Sequence, residues 1–241
     1  MLPSTFPAFP GRPEFDIYAT MDPAKEVGGD FYDFFMVDDD HLAMVMADVS
    51  GKGVPAALFM MTARTMIKDA AQSGKSPAEV LRYVNAQICG NNPEDMFVTV
   101  WLGLLELSSG KLVWSDAGHE PLLLDRDGSW ELMSGSGGIA LGVLEPELLA
   151  DDDPFADCAL YLKPGDALLQ YTDGVTESMT AGREQFGLER LTEAVRNAPS
   201  SVPKELLIHI REQIDQFVKG SDQFDDITML AMRYHGDRRT V

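Results

Sequence analysis

Five aspartates stand where strand-like runs meet glycine or a turn. Asp30 follows Gly28 and Gly29, and Asp48 follows the run Leu42 to Ala47 and opens the turn Val49-Ser50-Gly51-Lys52-Gly53. Asp173 lies in YTDG, and Asp225 and Asp226 lead into ITMLAMRYH. Carboxylates at the ends of separate strands, drawn from distant parts of a chain, place several negative oxygens around one point. Left alone they repel; a hard divalent cation such as magnesium or manganese, which prefers oxygen ligands and keeps several waters, neutralises them. Two such cations bridged by water supply hydroxide at neutral pH and clamp a phosphoryl group for in-line displacement. The pattern therefore points to metal-assisted phosphoester hydrolysis. Acids also gather at turns for local hydrogen bonding alone, and Asp38, Asp39 and Asp40 are read that way.

The elements that must position these acids follow from periodicity. Residues 14–20 alternate Phe15, Ile17 and Ala19 against polar neighbours, the pattern of a half-buried strand, and the aromatic run Phe31 to Phe35 suits another. After Asp48 the two glycines permit a tight turn, and Pro55 falls in the first turn of a helix, where its missing N–H costs nothing. Helical patterns run over 54–73 and 77–90, with Ser76 as N-cap and Glu79 completing a capping box. Met60, Met61 and Met66 are read as core packing. Residues 96–107, KLVWSDAGHEPLLL and SWELM read as a meander of strands, and the glycine-dense 134–142 as a loop, since it lacks the lysine and hydroxyl of a P-loop. A strand over Ala167 to Tyr171 precedes Asp173, two amphipathic helices follow, and ITMLAMRYH closes the chain as a final strand.

At 241 residues and 45% hydrophobic the chain has ample material for a core. Its 39 acidic and 19 basic residues give a formal charge of -20, which argues against nucleic acid or an anionic membrane as partner. Cys89 and Cys158 form no paired motif, so neither a zinc site nor a disulfide framework is expected, and a reducing cytoplasm is the default. No apolar run approaches a membrane span. Four prolines in residues 1–13 mark an extended lead-in, of the kind that links an upstream domain.

VGGDFYDFF, ADVSGKGVPAAL, AGHEPLLL, LLQYTDGVTES and FDDITMLAMR, in this order, resemble the motif series of the SpoIIE/RsbU branch of the bacterial metal-dependent protein phosphatases (PPM, protein phosphatase 2C-like superfamily). The match spans residues 14–235. The resemblance implies an α+β fold, a four-layer α/β/β/α sandwich of two mostly antiparallel sheets flanked by helices. It implies a phosphatase domain over 14–237, a lead-in over 1–13 and a tail over 238–241. It implies two manganese or magnesium ions in a cleft at one end of the sheets. The implied substrate is a serine or threonine phosphoprotein, the phosphorylated anti-anti-sigma or STAS-domain partner of a bacterial switch.

Carried over by position, Asp48 resembles the acid bridging both metals, with the Val49 carbonyl as a neighbouring ligand. Asp30 resembles the acid holding one metal directly or through water, and Asp173 and Asp225 the ligands of the other; these four acids would carry catalysis. Asp226 would stand behind them or replace Asp225, and which of the pair points inward is open. Gly51 and Gly53 would let the turn pass close to the metals, and Thr172 and Thr228 would serve as hydrogen-bonders.

Eukaryotic relatives have a histidine, able to act as general acid, two residues after the bridging aspartate. Here that residue is Ser50, so a water at the metals would protonate the leaving oxygen. His119 is read as structural, and Glu120 departs from a more usual neutral residue. Gly28-Gly29-Asp30 begins like a diguanylate cyclase signature, but Phe31 breaks it. The alternative from another class is a catalytically silent or locked phosphatase-like binding module in a signalling switch. In this branch an upstream sensor or receiver domain, in some cases membrane-anchored, acts through the helices after Asp48. Weak basal activity and a homodimer through those helices are the corresponding expectations.

Overall fold

The computed structural model describes residues 12–236, apart from 91, 93, 94, 134, 136 and 149–152. The expected tail lies outside the described residues, and so does the lead-in except for Arg12 and Pro13.

The chain forms β1 (Phe15–Asp22), β2 (Phe31–Met36), β3 (His41–Val49), α1 (Val54–Gln72), α2 (Pro77–Cys89), β4 (Val98–Glu106), β5 (Lys111–Ala117), β6 (Leu122–Arg126) and β7 (Ser129–Met133). It continues through β8 (Cys158–Tyr161), β9 (Ala167–Tyr171), the single-turn helix α3 (Asp173–Thr176), α4 (Gly187–Arg196), α5 (Pro203–Val218) and β10 (Ile227–Tyr234). Two five-stranded sheets result, ordered β1-β10-β9-β6-β7 and β2-β3-β4-β5-β8. Every ladder is antiparallel.

Successive side chains of a strand point to opposite faces, and here both faces of the central strands are covered. On β3, Leu42, Met44 and Met46 enter the layer between the sheets. Ala43, Val45 and Ala47 face Ala56, Ala63 and Ile67 of α1 and Leu81 and Val84 of α2. On β10, Leu230 and Met232 join the inter-sheet layer, while Met229 and Ala231 pack against Leu191 of α4 and Ile210 and Ile214 of α5. The order of layers is helices, sheet, sheet, helices, as expected.

Helix α2 begins as anticipated: the Glu79 N–H donates to Ser76 Oγ at 3.4 Å and the Ser76 N–H to Glu79 Oε2 at 2.8 Å. Asp38 accepts the N–H groups of Asp40 and His41 at 2.7 and 2.8 Å, which is turn chemistry. Two expectations need correction. The meander breaks at Gly118, because β5 stays in one sheet while β6 and β7 join the other; alternation defines a strand's buried face and not its partner. Met60 belongs to the core, but Met61 on the next helical position is 39% exposed, since the two point about 100° apart.

Antiparallel pairing brings the acids together. Ala47 opposes Phe31, so the end of β3 lies beside the start of β2. Met229 opposes Tyr171, so the start of β10 lies beside the end of β9. All five aspartates are thereby delivered to one end of the sandwich.

Candidate active site

Asp30 is the most deeply placed of the five, 2% exposed at the start of β2. Its Oδ2 accepts two hydroxyl hydrogen bonds from the opposite sheet, Thr172 Oγ1 at 2.7 Å and Thr228 Oγ1 at 2.5 Å. Burial pushes its carboxyl well above the ordinary range, and repulsion from Asp48 adds to that; the two threonines pull the other way.

Asp48 is the electrostatic centre. Its carboxyl is pushed up to about 7, first by burial and then by the charge of Asp173, with Asp225 and Asp226 contributing and a hydrogen bond with Asp30 opposing. Asp173, the first residue of α3, is raised by burial and by Asp225 and Glu177, and lowered by the Gly174 N–H and Lys52. All five aspartates thus sense one another at the mouth of the sandwich.

The adjacent pair divides. Asp226 Oδ1 accepts the Ala24 N–H at 2.8 Å, and its Oδ2 accepts Gly29 N–H at 2.9 Å and Asp30 N–H at 3.5 Å. It clamps the β1–β2 loop. Asp225 turns away from that loop: its Oδ1 accepts the Asp226 N–H at 2.9 Å and its Oδ2 pairs with Lys52 Nζ at 2.8 Å.

Tight approach at the site demands glycine, though not where the turn after Asp48 suggested. A Cβ on Gly29 would lie 2.8 Å from the Val49 carbonyl oxygen, one on Gly28 2.2 Å from Asp226 Oδ2, and one on Gly174 1.9 Å from the Asp226 carbonyl oxygen. Gly51 and Gly53 have open space around them; they are needed for φ of +87° and +85°. Ser50 pins this turn to the start of β4, its N–H donating to the Phe97 carbonyl and its Oγ accepting the Phe97 N–H, both at 2.9 Å.

His119 lies after β5 with Nδ1 2.8 Å from Thr99 Oγ1, and Thr99 opposes Asp48 across the β3–β4 ladder. Burial lowers the imidazole to about 3, against a smaller opposing contribution from the Tyr171 backbone, which keeps it neutral. Lys52 was not singled out from the sequence. The available signal was a lysine between two glycines, four residues beyond a strand-ending acid. A cavity of about 220 Å³ opens beside Asp225, walled in part by Glu177, Ile214, Phe224 and Ile227.

The donor set is all oxygen, and burial and mutual repulsion raise the carboxyls of Asp30, Asp48 and Asp173. That chemistry fits a hard divalent cation. Among the described residues, however, no three of the acids close on one point tightly enough to form a ready coordination shell. The fit is one of charge and donor type.

A sandwich of two antiparallel sheets between helix layers is the architecture of the PP2C-like phosphatases. The SiaA-PP2C domain of Pseudomonas aeruginosa shares it with a TM-score of 0.79 at 22% identity, over 90% of this chain and 85% of that one. Residues 38–235 match the family Stage II sporulation protein E (SpoIIE), and the chain belongs to that family. It is 34% identical to Protein IcfG of Synechocystis sp., over 93% of this chain and 39% of IcfG. It is 29% identical to Phosphoserine phosphatase RsbU of Bacillus subtilis, over 93% of this chain and 64% of RsbU. The chain thus spans less than two thirds of the length of either relative. No described helix is long and apolar enough to cross a membrane.

Proposed function

We propose that the chain is a metal-dependent protein serine/threonine phosphatase, acting on phosphoserine or phosphothreonine of a partner-switching protein of the anti-anti-sigma or STAS type. The observation that carries this reading is the convergence on Asp48 of repulsion from Asp173, Asp225 and Asp226, beside buried Asp30. Similarity to a phosphoserine phosphatase, RsbU, supports the substrate class.

In this reading Asp48 and the Val49 carbonyl, with Asp30 directly or through water, would hold one Mn²⁺ or Mg²⁺, and Asp48, Asp173 and Asp225 would hold a second. When bound, the cations neutralise the acids, draw in the phosphoryl oxygens and activate water for in-line attack on phosphorus. The protein's own residues do the positioning. Thr172 and Thr228 favour the ionised form of Asp30 and fix its orientation. Asp226 holds the loop that carries Asp30. Ser50 is committed to Phe97, and His119 is neutral and engaged with Thr99, so the leaving serine or threonine oxygen takes its proton from water. Residues 14–237 make up this phosphatase unit. An upstream sensor or receiver domain, with pairing of two copies through α1, completes the proposal; Val54 and Leu58 stand 65% and 66% exposed on that helix.

A second reading, a silent or locked phosphatase-like binding module, is favoured by the absence among the described residues of a ready three-acid shell. One experiment separates them. Release of phosphate from para-nitrophenyl phosphate and from a phosphoserine STAS protein is measured with manganese, with magnesium and with chelator, for the wild type and Asp173→Asn. The phosphatase reading expects metal-dependent release that falls about 100-fold or more in the variant. No release from either substrate, with manganese bound normally, favours the silent or locked module.

A further inference from the structure

Lys52 stands in the turn between Asp48 and α1, and its ammonium reaches back over the acids. Its Nζ lies 2.8 Å from Asp225 Oδ2, 2.8 Å from the Phe224 carbonyl oxygen and 4.6 Å from the centre of the Phe224 ring. Among the described residues this is the one salt bridge made to any of the five aspartates. Its charge also reaches Asp173, whose carboxyl it lowers.

We propose that Lys52 is an internal counter-ion that competes with a divalent cation for Asp225. This rests on the reading of Asp225 as a metal ligand. The two oxygens of Asp225 are both engaged, Oδ1 by the Asp226 N–H and Oδ2 by Lys52. A Mg²⁺ or Mn²⁺ ion takes a carboxylate oxygen at about 2 Å. An ammonium on that same oxygen would stand only a few ångströms from the ion, and two positive charges so close repel strongly even in a half-exposed site. The ion and Lys52 therefore repel at Oδ2, and loading of the Asp173–Asp225 side is weakened for as long as Lys52 stays.

Departure is easy for this side chain. It stands on a turn whose neighbouring glycines have open space around them, and it is one third exposed, so the ammonium exchanges Asp225 for water without disturbing the core. The aliphatic stem and the Phe224 ring keep it close by. Asp30, by contrast, has no lysine or arginine against it among the described residues; it is held by the hydroxyls of Thr172 and Thr228 and hydrogen-bonds with Asp48. The two sides of Asp48 thus load unequally, with the Asp225 side the weaker.

The test is binding of Mn²⁺ alone, by titration calorimetry at low ionic strength and pH 7.5, to the wild type, Lys52→Met, Lys52→Gln, Asp225→Asn and Lys52→Met/Asp225→Asn. Both single lysine variants should bind about tenfold more tightly at the weaker position, the gain expected for removing one nearby like charge. Asp225→Asn should bind more weakly, and the lysine change should add nothing on top of it. Unchanged or weaker binding by both lysine variants, with Asp225→Asn impaired, overturns the competition and leaves Asp225 a ligand. Unchanged binding by Asp225→Asn removes Asp225 from the ligands and takes the competition with it.

Discussion

Asp226 and Gly29 are joined across 197 residues of chain: Asp226 Oδ2 accepts the Gly29 N–H at 2.9 Å, and the same carboxylate accepts the Ala24 N–H at 2.8 Å. A residue at the head of β10 therefore sets the path of the loop that delivers Asp30. Asp226→Ala strands buried N–H groups and should lower stability by about 2–3 kcal/mol. Asp225→Ala breaks an ion pair about one third exposed and should cost less than about 1 kcal/mol. Urea unfolding of both variants checks this, and equal losses would show that Asp226 is no clamp.

Thr228 Oγ1 and Thr172 Oγ1 both donate to one oxygen of Asp30. Hydrogen bonds to a buried carboxylate are worth about 1.5–3 kcal/mol each. Thr228→Val should destabilise the fold by that amount and raise the Asp30 carboxyl further, moving the acid limb of the pH–rate profile to higher pH. Thr228→Ser should restore both. A profile that stays in place in Thr228→Val would separate Thr228 from the ionisation of Asp30.

Asp48 sits near 7 in the folded chain, against 3.8 ordinarily. A raised acid binds its proton more tightly folded than unfolded. In chelator its contribution therefore falls as pH rises from about 4 to about 7, and stays low above. With allowance for solvent screening, Asp48→Asn should be more stable than the wild type by about 2 kcal/mol at pH 8 in chelator, and by much less at pH 4. Thermal melting across pH decides it; a gap independent of pH would mean that the acids are not in mutual repulsion.

His119 carries the opposite sign. Its imidazole titrates near 3 folded, against 6.5 ordinarily. Between those values the unfolded chain takes up the proton and the folded chain does not, so stability drains as pH falls below about 6.5. The stability of wild type relative to His119→Gln should drop by about 2 kcal/mol between pH 7 and pH 5. No relative change would place the ring in contact with solvent.

Much of the scaffold was legible because burial leaves a period in the chain. The alternation in residues 14–20, the capping box at Ser76 and Glu79 and the apolar spacing of α5 each report a local geometry that short stretches enforce on themselves. The acids were legible for a related reason: an aspartate beside glycine at the end of an apolar run has no packing task. The limits of this reading are equally physical. β5 and β6 look like consecutive strands of a meander, yet Gly118, at φ +68°, turns the chain into the other sheet. Nothing in a two-residue period names a strand's neighbour.

What the sequence by itself determined is most of the strands and helices, though neither β8 nor α3, the faces they bury, and that five aspartates stand at strand ends. Tertiary structure decided how those aspartates divide. Asp225 and Asp226 are neighbours of one type, and neighbouring residues entering a strand point in opposite directions. Only the register of β10 against β1 and β9 turns Asp226 to the loop and Asp225 to Lys52. The contacts of Thr172 and Thr228 with Asp30, 142 and 198 residues away in sequence, exist because two sheets stack with their ends aligned. Such contacts come from packing between layers, which no local pattern encodes.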